Sequence, residues 1–397
     1  MSLLSKIQGD KGTWGVFSAL ALVSFLPMYS ATSFLVNVQN RGTTSGILMK
    51  HALILALGFV LVYVIHKIPY RYFSGGVSLI WPFVLLLLIY TLSQGTTIGG
   101  ATASRWIKIP FVGVSFQTSA LANIVLMIYV ARYFSKRQDK EIDFQESLIR
   151  LWSVVGLFLF FILPANFSTA ALLFLSVAML SLIGGYKFKH LLKVMGLGLV
   201  ALVMFIFVGR EFSSSLKVKT NTWKNRIVNF QDANPKDTYQ VEKAKMAIAT
   251  GGVFGVGGGK GKQKNFLPQI SSDFIYALIV EEYGLLGGFT TILLYMWLLY
   301  RFYIVAKNAQ TVFATLLVIG VGFPIILQAI INMAVASNLM PVTGQTLPLL
   351  SSGGSSIWMT CVAVGIVLSV SAAKSEEDIN RELDDQNPLD VLYEAVD

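Results

Sequence analysis

Charged residues, cysteine and histidine are all scarce in this sequence. Only 13% of the 397 residues are charged. An ordinary soluble domain carries about 25% charged residues, so the chain falls outside that class. The single cysteine, Cys361, excludes a disulfide within the chain. The three histidines, His51, His66 and His190, leave too little material for a zinc site built from Cys and His.

Apolar residues fill the space that charge leaves, at 54% of the chain. A membrane-spanning helix needs about 20 mostly apolar residues. Ten runs meet this need, near residues 14–35, 51–66, 77–94, 115–134, 149–164, 168–185, 191–209, 274–303, 310–336 and 356–373. The sequence therefore predicts an all-α integral membrane protein with about ten transmembrane helices. The net charge of +10 raises the possibility of nucleic acid, but no basic stretch stands apart from the apolar framework, so we expect no nucleic-acid partner.

Lysine and arginine are unevenly divided between the two sides of the predicted bundle. Sixteen lie on the side of the N-terminus, four lie in the opposite short loops, and eleven lie in one long loop at about 210–273. Because short cytoplasmic loops are rich in Lys and Arg, we expect both termini in the cytoplasm and the long loop, between the seventh and eighth spans, outside. We divide the chain into a polytopic domain, 1–373, and an acidic cytoplasmic tail, 374–397, and expect an uncleaved N-terminal anchor.

Three acids lie where the long loop enters the eighth span. Asp273 follows two serines at the expected start of the helix, where Ser272 or Asp273 would be the N-cap. Asp273 is either this simple cap or a functional acid. Glu281 and Glu282 fall inside the span, where a charge is costly unless it faces a polar cavity or a partner.

The loop before these acids is rich in glycine and lysine. Residues 255–262, GVGGGKGK, resemble a nucleotide cradle but lack the spacing and the Ser or Thr of a Walker A motif. Flexible backbone amides with Lys260, Lys262 and Lys264 could hold a non-nucleotide phosphate. The alternative is a mobile basic loop attracted to lipid headgroups.

Two further segments contain candidate binding residues. Arg105 could bind a phosphate with its guanidinium, whereas Trp106 beside it is typical of an interfacial belt. Proline and glycine interrupt the helix pattern between Asn332 and Ser356, yet the segment stays apolar. Such backbone is tolerated only inside protein or along a polar cavity, so we expect it to line a cleft. Its serines have no accessible histidine partner, which argues against a serine hydrolase.

These segments together resemble the SEDS family (shape, elongation, division and sporulation), whose branches are RodA and FtsW. The matching residues are Arg105-Trp106-Ile107, Phe116-Gln117 and Ser119, 249–255, 259–261, Asn265-Phe266-Leu267-Pro268, Asp273-Phe274-Ile275, Glu281-Glu282, Gly284-Leu285, Gly287, Pro341-Val342-Thr343-Gly344, Leu347-Pro348, Ser351 and Gly353-Gly354-Ser355. Gly9-Asp10-Lys11 and the acidic tail look more like FtsW than RodA. The chain departs from the family's Glu and Lys after Phe116-Gln117, since Ala120 and Asn123 stand at those positions.

The resemblance implies an inverting peptidoglycan glycosyltransferase that uses a lipid-linked disaccharide-pentapeptide at the outer face of the bacterial cytoplasmic membrane. It implies a class B penicillin-binding protein and other division or elongation proteins as partners, and Asp273 as the essential acid. We expect no certain cofactor, with a divalent cation such as Mg²⁺ or Mn²⁺ as a candidate. The expected substrate-binding residues are Arg105, Trp106, Gln117, Lys260, Lys262, Glu281, Glu282, Pro341, Thr343, Gly344, Ser351 and Ser355.

Two other classes of function fit the composition. A flippase for the same lipid precursor would use Glu281 and Glu282 for coupling within its cavity. A non-catalytic scaffold of a division complex would use the acidic tail as its docking segment. Polymerisation of labelled precursor by the purified chain would separate the three.

Overall fold

A computed structural model describes residues 8–37, 43–94, 97–98, 101–102, 106–108, 115–138, 140–212, 235–267 and 270–373. Helices dominate this part of the chain. They are α1 (Lys11–Val23), α2 (Phe25–Asn37), α3 (Thr44–Ile65), α4 (Arg71–Gln94), α5 (Thr118–Ser135), α6 (Phe144–Ser147), α7 (Ser153–Ile162), α8 (Phe167–Ile183), α9 (Phe188–Phe212), α10 (Pro235–Gly251), α11 (Ile275–Lys307), α12 (Val312–Ala336) and α13 (Gly354–Ser371). A π-helical turn, Leu148–Trp152, joins α6 to α7.

Nine helical segments of the described chain are long and apolar enough to cross a membrane. In two of them the helix assignment is interrupted: α1 and α2 together form the first, and α6, the π turn and α7 form the fifth. The shorter apolar helix α8, with 17 residues, supplies a tenth segment. The prediction of an all-α membrane protein with about ten spans is therefore confirmed.

The spans differ in how much of their surface other helices cover. About 67% of α5 and of α13 is buried, against 11% of α9, so α5 and α13 lie inside the bundle and α9 at its edge. Helix α13 packs closely on α3 at Gly365. A Cβ added there would lie only 2.9 Å from Ile65 Cβ, so glycine is needed for this approach. Small residues let helices approach in this way where apolar burial gives no drive for association.

The segments between the spans contain structure that the hydrophobic pattern does not predict. Two short antiparallel hairpins precede α5: β1 (Thr97–Ile98) with β2 (Ala101–Thr102), and β3 (Trp106–Lys108) with β4 (Ser115–Gln117). The long segment between α9 and α11 contains α10, a helix of low hydrophobicity. The predicted tail, 374–397, lies outside the described residues.

The expected N-cap of the eighth span is wrong. Helix α11 begins at Ile275, and Phe274 occupies the N-cap position without a side-chain capping bond. Ser272 and Asp273 lie in the preceding turn. Asp273 is therefore not the cap of this helix.

Candidate active site

A cavity of about 240 Å³ lies between α5, α8, α12 and α13. Neutral hydroxyl and amide side chains supply most of its polar lining: Gln117, Ser119, Asn123, Thr169, Ser176, Ser272, Gln328, Gln345, Thr346, Ser352, Ser356 and Thr360. Apolar side chains of α5 and α12 line the remainder. A concave site with few polar groups among apolar walls is the usual form of a ligand pocket.

Asp273 is the only acidic or basic residue among the described residues that line this cavity. It is partly exposed, and Gly344 lies beside its carboxylate. A Cβ at Gly344 would be 3.6 Å from Asp273 Oδ2, and the φ of +70° there favours glycine. Among the described residues of its lining, the cavity thus presents one carboxylate and no other charged side chain.

The turn that carries Asp273 is held by hydrogen bonds to three successive backbone carbonyl oxygens, those of residues 271–273. Ser352 N and Oγ donate to Ser271 O at 2.8 and 2.9 Å, and Ser351 Oγ donates to Ser272 O at 2.6 Å. Asn332 Nδ2 donates to Asp273 O at 2.9 Å and to Gln345 O at 2.7 Å. The position of the carboxylate therefore depends on α12 and on the segment that follows it.

That segment, 337–353, is non-helical and lines the cavity, as its prolines and glycines predict. Its backbone polar groups are bonded within the protein: Gln328 Nε2 donates to Thr346 O at 2.8 Å, and Tyr295 donates its hydroxyl hydrogen to Pro348 O. Backbone outside regular structure is stable within a bundle only when such partners exist. The same bonds hold this segment in the wall of the cavity that contains Asp273.

The second hairpin brings two more predicted residues to the cavity. Trp106 pairs with Gln117 across β3 and β4, and both side chains line the cavity with Asp273. Gln117 Nε2 also donates to Ser119 Oγ at 3.0 Å. Arg105, the predicted phosphate-binding residue next to Trp106, lies outside the described residues.

Glu281 and Glu282 do not line the cavity. Both are buried, and they face the glycine-rich loop. Glu281 Oε1 accepts from Lys262 N at 2.7 Å and Gln263 N at 3.0 Å, while Glu282 Oε1 accepts from Gly261 N at 3.3 Å. The backbone amides that we expected to hold a substrate phosphate thus bind two carboxylates of the protein itself.

A buried lysine offsets the charge of one of these acids. Lys264 Nζ lies 3.6 Å from Glu282 Oε1, and Ser30 of α2 bonds to both partners. The side chain of Lys264 is 7% exposed, so neither charge is solvated by water. Lys264 therefore attaches the loop to the bundle. Glu281 and Glu282, the acids that a flippase would use for coupling, do not line the cavity.

Glycine is required where the same loop crosses α11. Helix α11 is broken at Gly284, which has φ +69°, and its freed amides Leu285 N and Leu286 N donate to Gly252 O at 2.9 Å and Val253 O at 3.3 Å. A Cβ at Gly255 or at Gly284 would overlap the backbone of the other segment. The glycines serve close backbone packing in this structure.

Other predicted residues lie away from the cavity lining. Lys260 and Lys262 are exposed on the glycine-rich loop, and Pro341 and Thr343 are partly exposed beside Gly344. Ser351 is buried and donates a hydrogen bond to the turn that carries Asp273, and Ser355 is fully buried. Binding of substrate by these residues stays a prediction.

Both positions at which the chain departs from the family pattern face the cavity. Ala120 and Asn123 line it on α5, and Asn123 Oδ1 is buried without a hydrogen-bond partner. A Glu and a Lys at these positions would put two opposite charges near Asp273. With both replaced, Asp273 is the only charged side chain among the described residues that line the cavity.

Three polar residues within apolar spans belong to the site and were not predicted from the sequence. Gln328 and Asn332 lie one turn apart in α12, and Ser176 lies in the middle of α8. Gln328 and Ser176 line the cavity, while Asn332 holds the Asp273 turn. An amide within an apolar run is the signal that could have found them, because an unpaired amide is costly there.

The described residues contain no group of three or more His, Cys, Asp or Glu side chains suited to a metal ion. The cavity offers one carboxylate and several neutral oxygens. Mg²⁺ is usually bound by one or two carboxylates together with substrate phosphates. These donors fit an ion that arrives with a phosphate-bearing substrate.

Comparison with known proteins gives consistent relatives. The family model of the cell cycle proteins FtsW, RodA and SpoVE matches residues 11–376. The Probable peptidoglycan glycosyltransferase FtsW of Geobacter sp. (strain M18) is 37% identical over 73% of this chain and 76% of its own length. The protein of the same name from Coxiella burnetii is 28% identical over 94% of this chain and 99% of its own.

Solved structures share the architecture. One chain of a peptidoglycan synthase complex, in which polymerization and crosslinking are coordinated, superposes with a TM-score of 0.69 at 22% identity, covering 93% of this chain and 99% of that chain. The rod shape determining protein RodA of Thermus thermophilus gives a TM-score of 0.61 at 24% identity, covering 91% and 96%. At these identities the likeness concerns the fold, whereas the family match extends over nearly the whole sequence. This chain belongs to the FtsW/RodA/SpoVE family of cell cycle proteins.

Proposed function

We propose that this chain is a peptidoglycan glycosyltransferase that polymerises glycan strands from a lipid-linked disaccharide-pentapeptide precursor. Family membership and the printed activity of the FtsW relatives support this assignment. The observation that assigns it to a site is Asp273, whose carboxylate lies among neutral hydroxyl and amide groups in the described part of the cavity lining. The acidic tail and the first residues of the chain favour the FtsW branch.

The reaction joins a sugar hydroxyl to an anomeric carbon that bears a polyprenyl diphosphate. The hydroxyl oxygen forms the new glycosidic bond, the bond from the anomeric carbon to the diphosphate oxygen breaks with its electron pair, and the hydroxyl proton goes to Asp273. A positioned general base contributes typically 10²–10⁴-fold to such a step. Because one base acts on one face and the leaving group departs from the other, the anomeric configuration inverts.

The departing diphosphate also needs positive charge. Among the lining residues that the structure describes, none is a cation, so this charge must come from the cavity's surroundings or from an ion. Arg105, Lys260 and Lys262 are the candidates in the chain. A divalent ion would supply electrostatic stabilisation of the diphosphate; the neutral hydroxyl and amide oxygens of the cavity would hold it together with the substrate phosphates, and Asp273 would remain the base.

The setting we propose is the bacterial cytoplasmic membrane, with both termini in the cytoplasm and the Asp273 cavity open to the outer side. A class B penicillin-binding protein is the expected partner, because crosslinking must follow polymerisation. The likeness to a chain of a peptidoglycan synthase complex supports such a partnership. Other proteins of the division or elongation complex are expected to join it.

The test is polymerisation by the purified full chain in lipid vesicles, alone and with the transpeptidase, using fluorescent lipid-linked precursor. A polymerase makes long glycan strands that muramidase digests. Precursor that crosses the bilayer without forming strands would instead identify a flippase. If neither strand formation nor lipid transfer is detected, with or without the transpeptidase, the chain is a scaffold and the proposal is wrong.

A further inference from the structure

A second, shallow cavity, of about 370 Å³, lies at the opposite end of α5 from Asp273. The two cavities use different residues of α5, since the Asp273 cavity ends at Met127 and the second cavity begins at Tyr129. The C-terminal end of α5 and the π turn before α7 form its walls. We call it the basic pocket, and it is lined by Tyr129, Arg132, Tyr133, Lys136, Arg137, Ile149, Arg150 and Val154.

The basic pocket holds more positive charge than its acid can balance. Arg132, Lys136, Arg137 and Arg150 line it. The nearby Glu146 lies 2.5 Å from Arg137 Nη2 and 3.5 Å from Arg150 Nε. Three positive charges therefore remain in excess. Cations near a helix end are common at a cytoplasmic membrane surface, so the charge alone would not define a site.

A buried hydroxyl group in the wall is the second observation. Tyr133 is 6% exposed, and its hydroxyl oxygen has no hydrogen-bond partner in the structure. Arg137 lies over the Tyr133 ring, with Cζ 4.1 Å from the ring centroid. A buried hydroxyl without a partner is unfavourable by about 1–3 kcal/mol, which a bound acceptor oxygen would offset. The pocket thus combines excess cations with an unsatisfied donor.

The surface next to the basic pocket is apolar and faces outward from the bundle. Ile149 is 72% exposed at the pocket, and Leu157 and Phe160 continue along the same exposed side of α7 at 42% and 55%. Between them, a Cβ at Gly156 would have no neighbour within 4 Å. Acyl chains can pack on this shallow apolar track, whereas a free phosphate has no apolar part that would bind there.

We propose that the basic pocket binds the phosphate of an anionic phospholipid headgroup, with the acyl chains along α7. Basic pockets between transmembrane helices at the cytoplasmic side bind such headgroups in other membrane proteins. The π turn presents Arg150 and Ile149 side by side, so one turn contacts both the headgroup and the chains. This site is independent of the Asp273 cavity and of the reaction proposed there.

The test measures lipid binding by the detergent-purified full chain with native mass spectrometry. Phosphatidylglycerol is titrated against the wild type and against Arg132→Gln/Lys136→Gln. Each charge near a lipid headgroup contributes about 1 kcal/mol, so two losses predict about 30-fold weaker binding. The matched control, Lys189→Gln/Lys307→Gln, removes two exposed lysines at the same end of the bundle and is expected to bind as the wild type does.

A milder variant tests whether weaker lipid binding reflects loss of a contact or loss of the fold. Tyr133→Phe keeps the charge and the ring but removes the buried hydroxyl, and it is expected to bind phosphatidylglycerol about fivefold more weakly, the loss of roughly one hydrogen bond. Phosphatidylcholine should not bind at the site. Equal binding by the pocket and control variants would overturn the proposal. Displacement of the lipid by millimolar glycerol phosphate would also overturn it, because a free phosphate would then suffice.

Discussion

At the residue scale, the other described residues that line the cavity around Asp273 carry no charge. The surrounding hydroxyl and amide groups can orient a sugar without competing for its proton. Asn332, Ser351 and Ser352 fix the backbone beneath the carboxylate. Asp273 can therefore stay in place while substrates enter and leave.

Ala120 and Asn123 provide a direct test of charge balance in this cavity. Ala120→Glu alone adds a second negative charge near Asp273 at a half-buried position and is expected to destabilise the fold by about 1–3 kcal/mol. The double variant Ala120→Glu/Asn123→Lys should recover most of this loss, because residues three apart on a helix can pair. Asn123→Lys alone should be milder, since Asp273 offers it a partner.

Thermal unfolding of the four proteins gives the coupling energy between the two positions. Additive effects, with no recovery in the double variant, would show that positions 120 and 123 do not share one electrostatic environment. That result would contradict the balance argued for the cavity.

At the element scale, the exchange of backbone bonds between α11 and the glycine-rich loop stabilises the end of the bundle that carries Asp273. Gly255→Ala and Gly252→Ala form a matched pair to test it. Both glycines have positive φ, but a Cβ at Gly252 meets nothing within 4 Å, whereas one at Gly255 overlaps the Glu282 carbonyl oxygen. We expect a loss of about 1 kcal/mol for Gly252→Ala from left-handed strain alone, and about 3 kcal/mol or more for Gly255→Ala.

Urea or thermal unfolding in detergent measures the difference. Equal losses for the two variants would mean that conformational strain, and not the close approach to α11, decides the need for glycine in this loop.

The same elements show how far the sequence could predict the fold. Apolar runs locate all ten spans, and proline with glycine marks the segment at 337–353, because both signals are local. Helix α10 is not predicted by apolar length, because it is polar. The partners of Glu281 and Glu282 lie 18 to 21 residues away in a loop, a pairing that composition cannot reveal.

The candidate site was predicted in part for the same reason. Asp273, Trp106, Gln117 and Gly344 meet in one cavity as the motifs imply. The polar lining from α12, above all Gln328, depends on which helix face turns inward. A hydrophobic run that is apolar on all sides does not specify that face.

At the scale of the whole molecule, one ion pair joins the start of the first span to the end of the eighth. Arg301 Nε donates to Asp10 Oδ2 at 3.0 Å, and Arg301 Nη2 also contacts Asp10 Oδ1. Burial raises the pKa of Asp10, but hydrogen bonds from Arg301 and Thr13 outweigh this effect, and the pKa lies below its ordinary value of 3.8. Asp10 is thus more acidic in the folded chain than in the unfolded chain.

A pKa that is lowered by folding stabilises the protein above the unfolded value and loses that effect as pH falls through the folded value. Asp10→Asn should therefore lower the melting temperature at neutral pH and flatten its decline below about pH 4. Asparagine keeps the N-cap of α1, so the change isolates the charge. Parallel pH dependences for variant and wild type would contradict a role for this pair.

The most direct measurement of the central claim is the rate of glycan polymerisation by Asp273→Asn in vesicles that contain the transpeptidase. The variant should retain its fold and its partner and lose at least about 10²-fold in rate, since amide cannot accept the proton. Glu242→Gln, the same change at an exposed acid of α10, should keep the wild-type rate. A rate for Asp273→Asn within about twofold of the control would contradict the assignment of Asp273 as the base.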